Sequence, residues 1–216
     1  MASDFTANSC GGARWRTLSG GYIEVENLGI PEVPPGSPRF ENLARTWANF
    51  GSDLGPAADS VKLPRSWLAS FATVETGFLS KSRLEQAAAI SPVGALGVMQ
   101  LMPQYFTQYS RAQLLTPSVN ILAGAQFIQR LCKSSSCPGR CELPYLGSVY
   151  NAGSGSHCVQ CSPGKNIFNL TEDADYSLQL VQYNNSALRY LRLESGLGSW
   201  IAGGAAAAAV AAWALL

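Results

Sequence analysis

One carboxylate stands out because of where its neighbours place it. Pro64 suits a first-turn position, and Leu68, Phe71, Ala72, Glu75 and Leu79 follow at i, i+3, i+4, i+7 and i+11, the spacing of one helix face. Glu75 therefore falls on the apolar stripe, the wrong face for a solvating carboxylate. Desolvation disfavours the ionised form and raises the pKa. A carboxyl held protonated near neutral pH can donate to a leaving oxygen, which is the task of a general acid at a glycosidic bond. The same pattern fits a structural carboxyl that caps a buried backbone group or pairs with a core arginine. Taken by itself, the helix pattern is the commoner signature of that second role.

Cysteine is the other reactive type. Cys132, Cys137, Cys141, Cys158 and Cys161 fall within thirty residues, far from Cys10. Cys137-x3-Cys141 and Cys158-x2-Cys161 stand sixteen residues apart, inside the window of a zinc ribbon, while six cysteines also allow three disulfides. Disulfides, zinc and free thiols all stay open, and each would staple the chain rather than perform chemistry. His157 is the single histidine. It sits in a Gly- and Ser-rich stretch with no partner motif, so a Cys–His peptidase has no support.

The elements that must position Glu75 read as helices. Glu41 to Phe50 predicts a short helix with Leu43, Trp47 and Phe50 on one face. Thr116-Pro117 predicts an N-cap followed by Pro at N1, with Ile121, Ala125, Ile128 and Cys132 on the buried side. Leu143 to Tyr150 and Ala174 to Arg192 are two further helical stretches. Residues 1 to about 40 read as an irregular arm broken by Gly-Gly pairs and a Pro-rich run, in which Ile23, Val25 and Val33 are placed to form a short strand or to pack on the main domain. No strong period-two alternation and no internal repeat is present, so the fold class is mainly α.

Composition narrows the function. Of the 216 residues 47% are hydrophobic and 13% charged, too apolar for a disordered chain, and the net charge of +1 comes from 15 basic and 14 acidic residues without a run of either sign. That is no electrostatic footprint for nucleic acid.

Four blocks occur in order: Glu75-Thr-Gly-Phe78, Ser91 to Pro103, Thr116 to Gly124, and Val149-Tyr-Asn-Ala-Gly153. Together they resemble the lysozyme-like domain of soluble lytic transglycosylases over about 60–155, with an extension toward Arg192. The resemblance implies an SLT-type fold acting on the glycan strands of peptidoglycan, with no cofactor and no metal. It implies that Glu75 is the general acid and that Ser91 contacts the sugar beside the scissile bond. It also implies that Met99 and Gln100 line the cleft, and that Tyr150 and Asn151 face the acid, the Tyr150 hydroxyl orienting it. The sixteen positions from Glu75 to Ser91 exceed the usual family spacing, and the surplus around Ser82 to Ala89 is expected to lengthen the helix or form a loop over the cleft. Using Glu85 as the acid instead loses the Thr-Gly-Phe match.

The implied reaction needs one protein carboxyl: Glu75 protonates the oxygen between N-acetylmuramic acid and N-acetylglucosamine, then takes a proton from the muramic C6 hydroxyl as a 1,6-anhydro ring closes. A hydrolytic muramidase would more often have a second carboxylate, for which Glu85, Asp53, Asp59 and Glu142 are the candidates. A structural or envelope-docking protein with an inactive domain is the third class.

The expected organisation is an arm and short helix at 1–57, the lysozyme-like domain at 58–193, and an apolar tail at 194–216. The stretch 197–216 carries no charge and holds Trp200 and Trp213 near its ends, which fits a membrane span or, alternatively, a close-packing helix. With no apolar signal core at the N-terminus, a virion-carried phage enzyme with virion proteins as partners is the expected setting, and a secretion or conjugation component the second.

Overall fold

The computed structural model describes residue 5 and residues 13–77, 82–133, 141–152 and 176–193. Among these the fold is mainly helical, as the sequence predicts. A two-stranded antiparallel hairpin, β1 (Trp15–Thr17) and β2 (Ile23–Val25), precedes seven helices. They are α1 (Pro38–Val61), α2 (Arg65–Ala72), α3 (Arg83–Ala87), α4 (Arg111–Leu114), α5 (Pro117–Lys133), α6 (Leu143–Ala152) and α7 (Tyr176–Tyr190).

The helix α1 is longer than its sequence signals suggest. It begins where Ser37 accepts the Phe40 N–H and Pro38 occupies the first turn, and it continues through Gly51, Gly55 and Pro56 to a left-handed Lys62. These breakers cost helix stability. The buried row Leu43, Phe50, Leu54, Ala57, Ala58 and Val61 outweighs them by packing against α5 and α2. Gly51 has a positive use, because a Cβ there would lie 3.0 Å from the Trp47 ring. The boundary expected after residue 57 falls inside this helix.

The N-terminal residues are packed into the domain. Val33 and the β2 residues Ile23 and Val25 are buried, as their apolar character allows. What holds them is a polar triplet on α7 that the sequence reading overlooked. Asn185 accepts the Ile23 N–H and donates to the carbonyls of Ile23 and Pro31. Ser186 accepts the Val33 N–H, and Asn184 donates to the Gly21 carbonyl while accepting from Ser66 of α2. All three are fully buried, and buried amides are kept only where such partners exist. The Trp15 indole donates to Glu142 at 2.6 Å, which seats β1 on α6.

The cysteine question is settled in part. Cys132, at the end of α5, and Cys141, just before α6, form a disulfide. Cys141 is therefore unavailable as a metal ligand, which overturns the zinc ribbon that needs it. Among the described residues no cluster of metal-binding side chains exists. Cys10, Cys137, Cys158, Cys161 and His157 lie outside the described residues, as does the apolar stretch 197–216. Among the described residues no helix is long and apolar enough to cross a membrane.

Candidate active site

The segment that carries Glu75 does not continue α2 in register. Pro64 is the N-cap of α2 rather than its first residue, and after Ala72 the winding widens to a π-turn over Thr73–Gly77. Such turns are rare and concentrate at functional sites. The hydroxyls of Thr73 and Thr76 donate to the carbonyls of Ala69 and Ala72. The single Thr76 proton is shared with the Val98 carbonyl, also 3.1 Å away, which ties the turn to the 96–101 loop. The sequence places Glu75 on the buried face of a regular helix. The widened turn leaves it half-buried at the wall of an open cleft of about 740 Å³.

The carboxyl there has lost most of its water. Burial raises its pKa from 4.5 to about 7, against the opposing pull of a hydrogen bond from the Tyr176 hydroxyl to Oε1. A carboxylic acid with a pKa near 7 has both protonation states accessible at neutral pH, as a group that first gives and then takes a proton requires. Among the described residues Glu75 is the only acidic side chain lining the cleft. The four alternative carboxylates are all engaged elsewhere. Asp53 pairs with Arg83, Asp59 with Arg65, Glu142 accepts from Trp15, and Glu85 accepts from Ser82. Glu85 is exposed on α3, so the register that would make it the acid is overturned.

The loop that faces Glu75 is built around Asn120 of α5. Its Nδ2 donates to the carbonyls of Leu96 and Leu114, and its Oδ1 accepts the Met99 N–H at 2.7 Å. Gly97, at φ +69°, fits against this side chain because it has none of its own. A Cβ there would stand 2.6 Å from Asn120 Nδ2 and 2.7 Å from the Leu114 carbonyl. Antiparallel bridges at Ile90–Leu96 and Leu96–Leu101 complete the loop. The surplus residues before it neither lengthen the helix nor form a plain loop. Ser82 caps the separate short helix α3, whose buried Gln86 donates to the Thr76 carbonyl and accepts from Asn49.

Of the residues singled out from the sequence, Ser91, Gln100 and Asn151 line the cleft together with Glu75. The Ser91 oxygen accepts the Ala95 N–H, which leaves its own proton to donate. Gln100 adopts φ +45° and turns its amide onto the Gly97 carbonyl at 2.8 Å. Met99 does not line the cleft. Its side chain is fully buried against Gly124, and its carbonyl accepts the Tyr150 hydroxyl. Tyr150 is near enough to Glu75 for the carboxylate to help push its phenol pKa up, with burial the larger cause. Even so, its hydroxyl does not orient Glu75. That bond belongs to Tyr176, at the start of α7, 101 residues from Glu75 in sequence. No local spacing rule reaches across that separation. The only signal was the expectation that the domain extends into the last helix.

The Tyr176 bond stabilises the carboxylate over the acid. The Tyr176→Phe protein should therefore show a Glu75 carboxyl that titrates above about 7. Carbon-13 NMR of the side-chain carboxyl is the direct check, and a midpoint that stays or falls contradicts the assigned partner.

Comparison with known proteins bears on the fold that holds this site. Residues 57–162 match the family model described as the Transglycosylase SLT domain. The X-ray structure of the lytic transglycosylase Slt from Pseudomonas aeruginosa, in an inactive glutamate-to-glutamine mutant, matches with a TM-score of 0.51 and 23% identity. The match covers 69% of this chain but only 25% of that protein, so the chain spans about a quarter of its length. No curated protein matches the chain. The fold is that of the SLT-type, lysozyme-like class.

Proposed function

Proceeding from an SLT-type fold with residues 57–162 matched to the transglycosylase SLT domain, we propose that the protein is a peptidoglycan lytic transglycosylase. The observation that carries this reading is Glu75, a half-buried carboxyl with a pKa near 7 and the one acid lining the open cleft among the described residues. The glutamate-to-glutamine change in the inactive Slt structure is of the same chemical kind as removing that acid.

In the proposed reaction, protonated Glu75 donates to the oxygen that joins N-acetylmuramic acid to N-acetylglucosamine. Positive charge then develops on the muramic ring, and the substrate's own acetamido group stabilises it, as in substrate-assisted glycosidases. The Glu75 carboxylate, steadied by the Tyr176 hydroxyl, next removes the proton from the muramic C6 hydroxyl. That oxygen attacks the anomeric carbon and closes the 1,6-anhydro ring. No water is consumed, and the glutamate ends as it began. The route asks for one carboxyl that gives and then takes a proton, which a group with a pKa near 7 can do.

Product analysis tests the choice. Mass spectrometry of digested peptidoglycan should find anhydro-muramic ends, 18 Da lighter than the hydrolytic product on the roughly whole-number scale of such spectra. Reducing muramic ends would instead identify a hydrolytic muramidase on the same fold. We also propose that the enzyme is carried in a phage particle and opens the wall locally during entry, with the uncharged stretch 197–216 contacting a membrane. The apolar sequence of that stretch supports this setting. Its absence from purified particles would overturn it.

A further inference from the structure

The cleft has a second chemically distinctive wall, formed by α1. Arg39, in the first turn of that helix, is the one cationic side chain lining the cleft among the described residues. No carboxylate among the described residues pairs with it. Its guanidinium lies 5.2 Å from the ring centroid of the nearly buried Tyr183 of α7, a cation–π contact that holds the side chain over the cleft. Asn42 lies three residues on, hence on the same helix face. Its Oδ1 accepts from Arg45 Nη2 at 2.5 Å. An arginine can only donate, so this bond fixes the amide orientation and leaves the Nδ2 protons for the cleft.

We propose that Arg39 and Asn42 form a carboxylate-binding subsite that grips the acidic side group of the muramyl residue in the bound strand. The inference rests on reading the cleft as a peptidoglycan site. A planar guanidinium beside an amide N–H is suited to two-point recognition of a carboxylate. The strand offers that chemistry at two places. A peptide-bearing muramyl residue has carboxylates along its stem, and a stripped one has the free carboxylate of its lactyl arm. A strand of N-acetylglucosamine alone has neither. Both residues lie outside the segment 57–162 that matches the family model, so this wall is contributed by the preceding helix rather than by the matched segment.

The test measures binding in a Glu75→Gln background, where strands stay intact, against three ligands. These are soluble peptide-bearing glycan strands, amidase-stripped strands, and chitooligosaccharide of matched length. Arg39→Ala should weaken binding of a carboxylate-bearing ligand by about 5-fold, the scale of a charge-assisted contact at a solvent-lapped wall. The loss should shrink at high salt, and Arg39→Lys should recover part of it. Chitooligosaccharide binding should be unchanged, which also reports that the cleft remains folded. Loss on peptide-bearing strands alone assigns the stem, and loss on stripped strands alone assigns the lactyl arm. Equal loss on all three ligands, or loss on none, overturns the subsite. Binding by the wild type without cleavage overturns the enzymatic reading alone, and no binding of any ligand overturns both.

Discussion

Glu75→Gln should reduce cleavage of purified sacculi by about 10³-fold, within the range that a positioned general acid contributes. The replacement keeps the shape of the side chain and an oxygen to accept from Tyr176, so it removes the transferable proton and little else. The wild-type rate should also depend on pH in a defined direction. The donor is the protonated form, so cleavage should fall as pH rises through about 7. Stability follows the same proton. Between 4.5 and about 7 the folded state binds more protons at Glu75 than the unfolded chain does. Stability contributed by this group is thus present at low pH and declines as pH rises through that window. The Gln variant lacks this penalty and should melt no lower than the wild type above neutrality. Turbidity loss of a sacculus suspension, read beside a thermal melt, checks both halves. A variant that is well folded and retains activity within tenfold of the wild type would sink the assignment of Glu75.

The largest stability effect should come from Asn120→Ala. The replacement strands the buried Leu114 carbonyl and the Met99 N–H, and it takes one of two hydrogen bonds from the Leu96 carbonyl, which keeps the Leu101 N–H. Each unpaired buried group costs about 1–3 kcal/mol, and the two are coupled, so a total of about 2–4 kcal/mol is expected. That is a large fraction of the stability of an ordinary domain. Asn120→Asp separates the contributions, since its oxygen can still accept from Met99 while both donated bonds are lost. Urea denaturation of the two variants against the wild type gives the comparison. The damage should also reach the cleft, because the loop that Asn120 holds presents Gln100 and supplies the Met99 carbonyl to Tyr150. A cost below about 1 kcal/mol for Asn120→Ala would contradict the role given to these bonds.

The two residues contrast in how visible they are. Glu75 is conspicuous in sequence, because an acid on an apolar stripe breaks a local pattern. Asn120 is inconspicuous, because an asparagine near a helix start satisfies one. Its role depends on carbonyls 6 and 24 residues away, which only the folded loop brings within reach. The Asn184-Asn185-Ser186 triplet is a similar case. On a helix it reads as a solvated face, and its burial depends on partners supplied by the N-terminal residues and by Ser66 of α2.

The sequence by itself determined the helical class and the general run of α5, α6 and α7, and it singled out Glu75 as the carboxyl to follow. Helix periodicity is a property of residues within a few turns of one another, and four ordered blocks were specific enough to suggest the lysozyme-like domain. Tertiary structure alone decided what surrounds the acid. It widened the end of α2 into a π-turn, replaced Tyr150 with Tyr176 as the hydroxyl on Glu75, and drew Met99 into the core. It also carried α1 through its glycines and proline to bring Arg39 to the cleft. Each of these rests on contacts between segments distant in the chain, where burial and hydrogen-bond satisfaction outweigh local propensity.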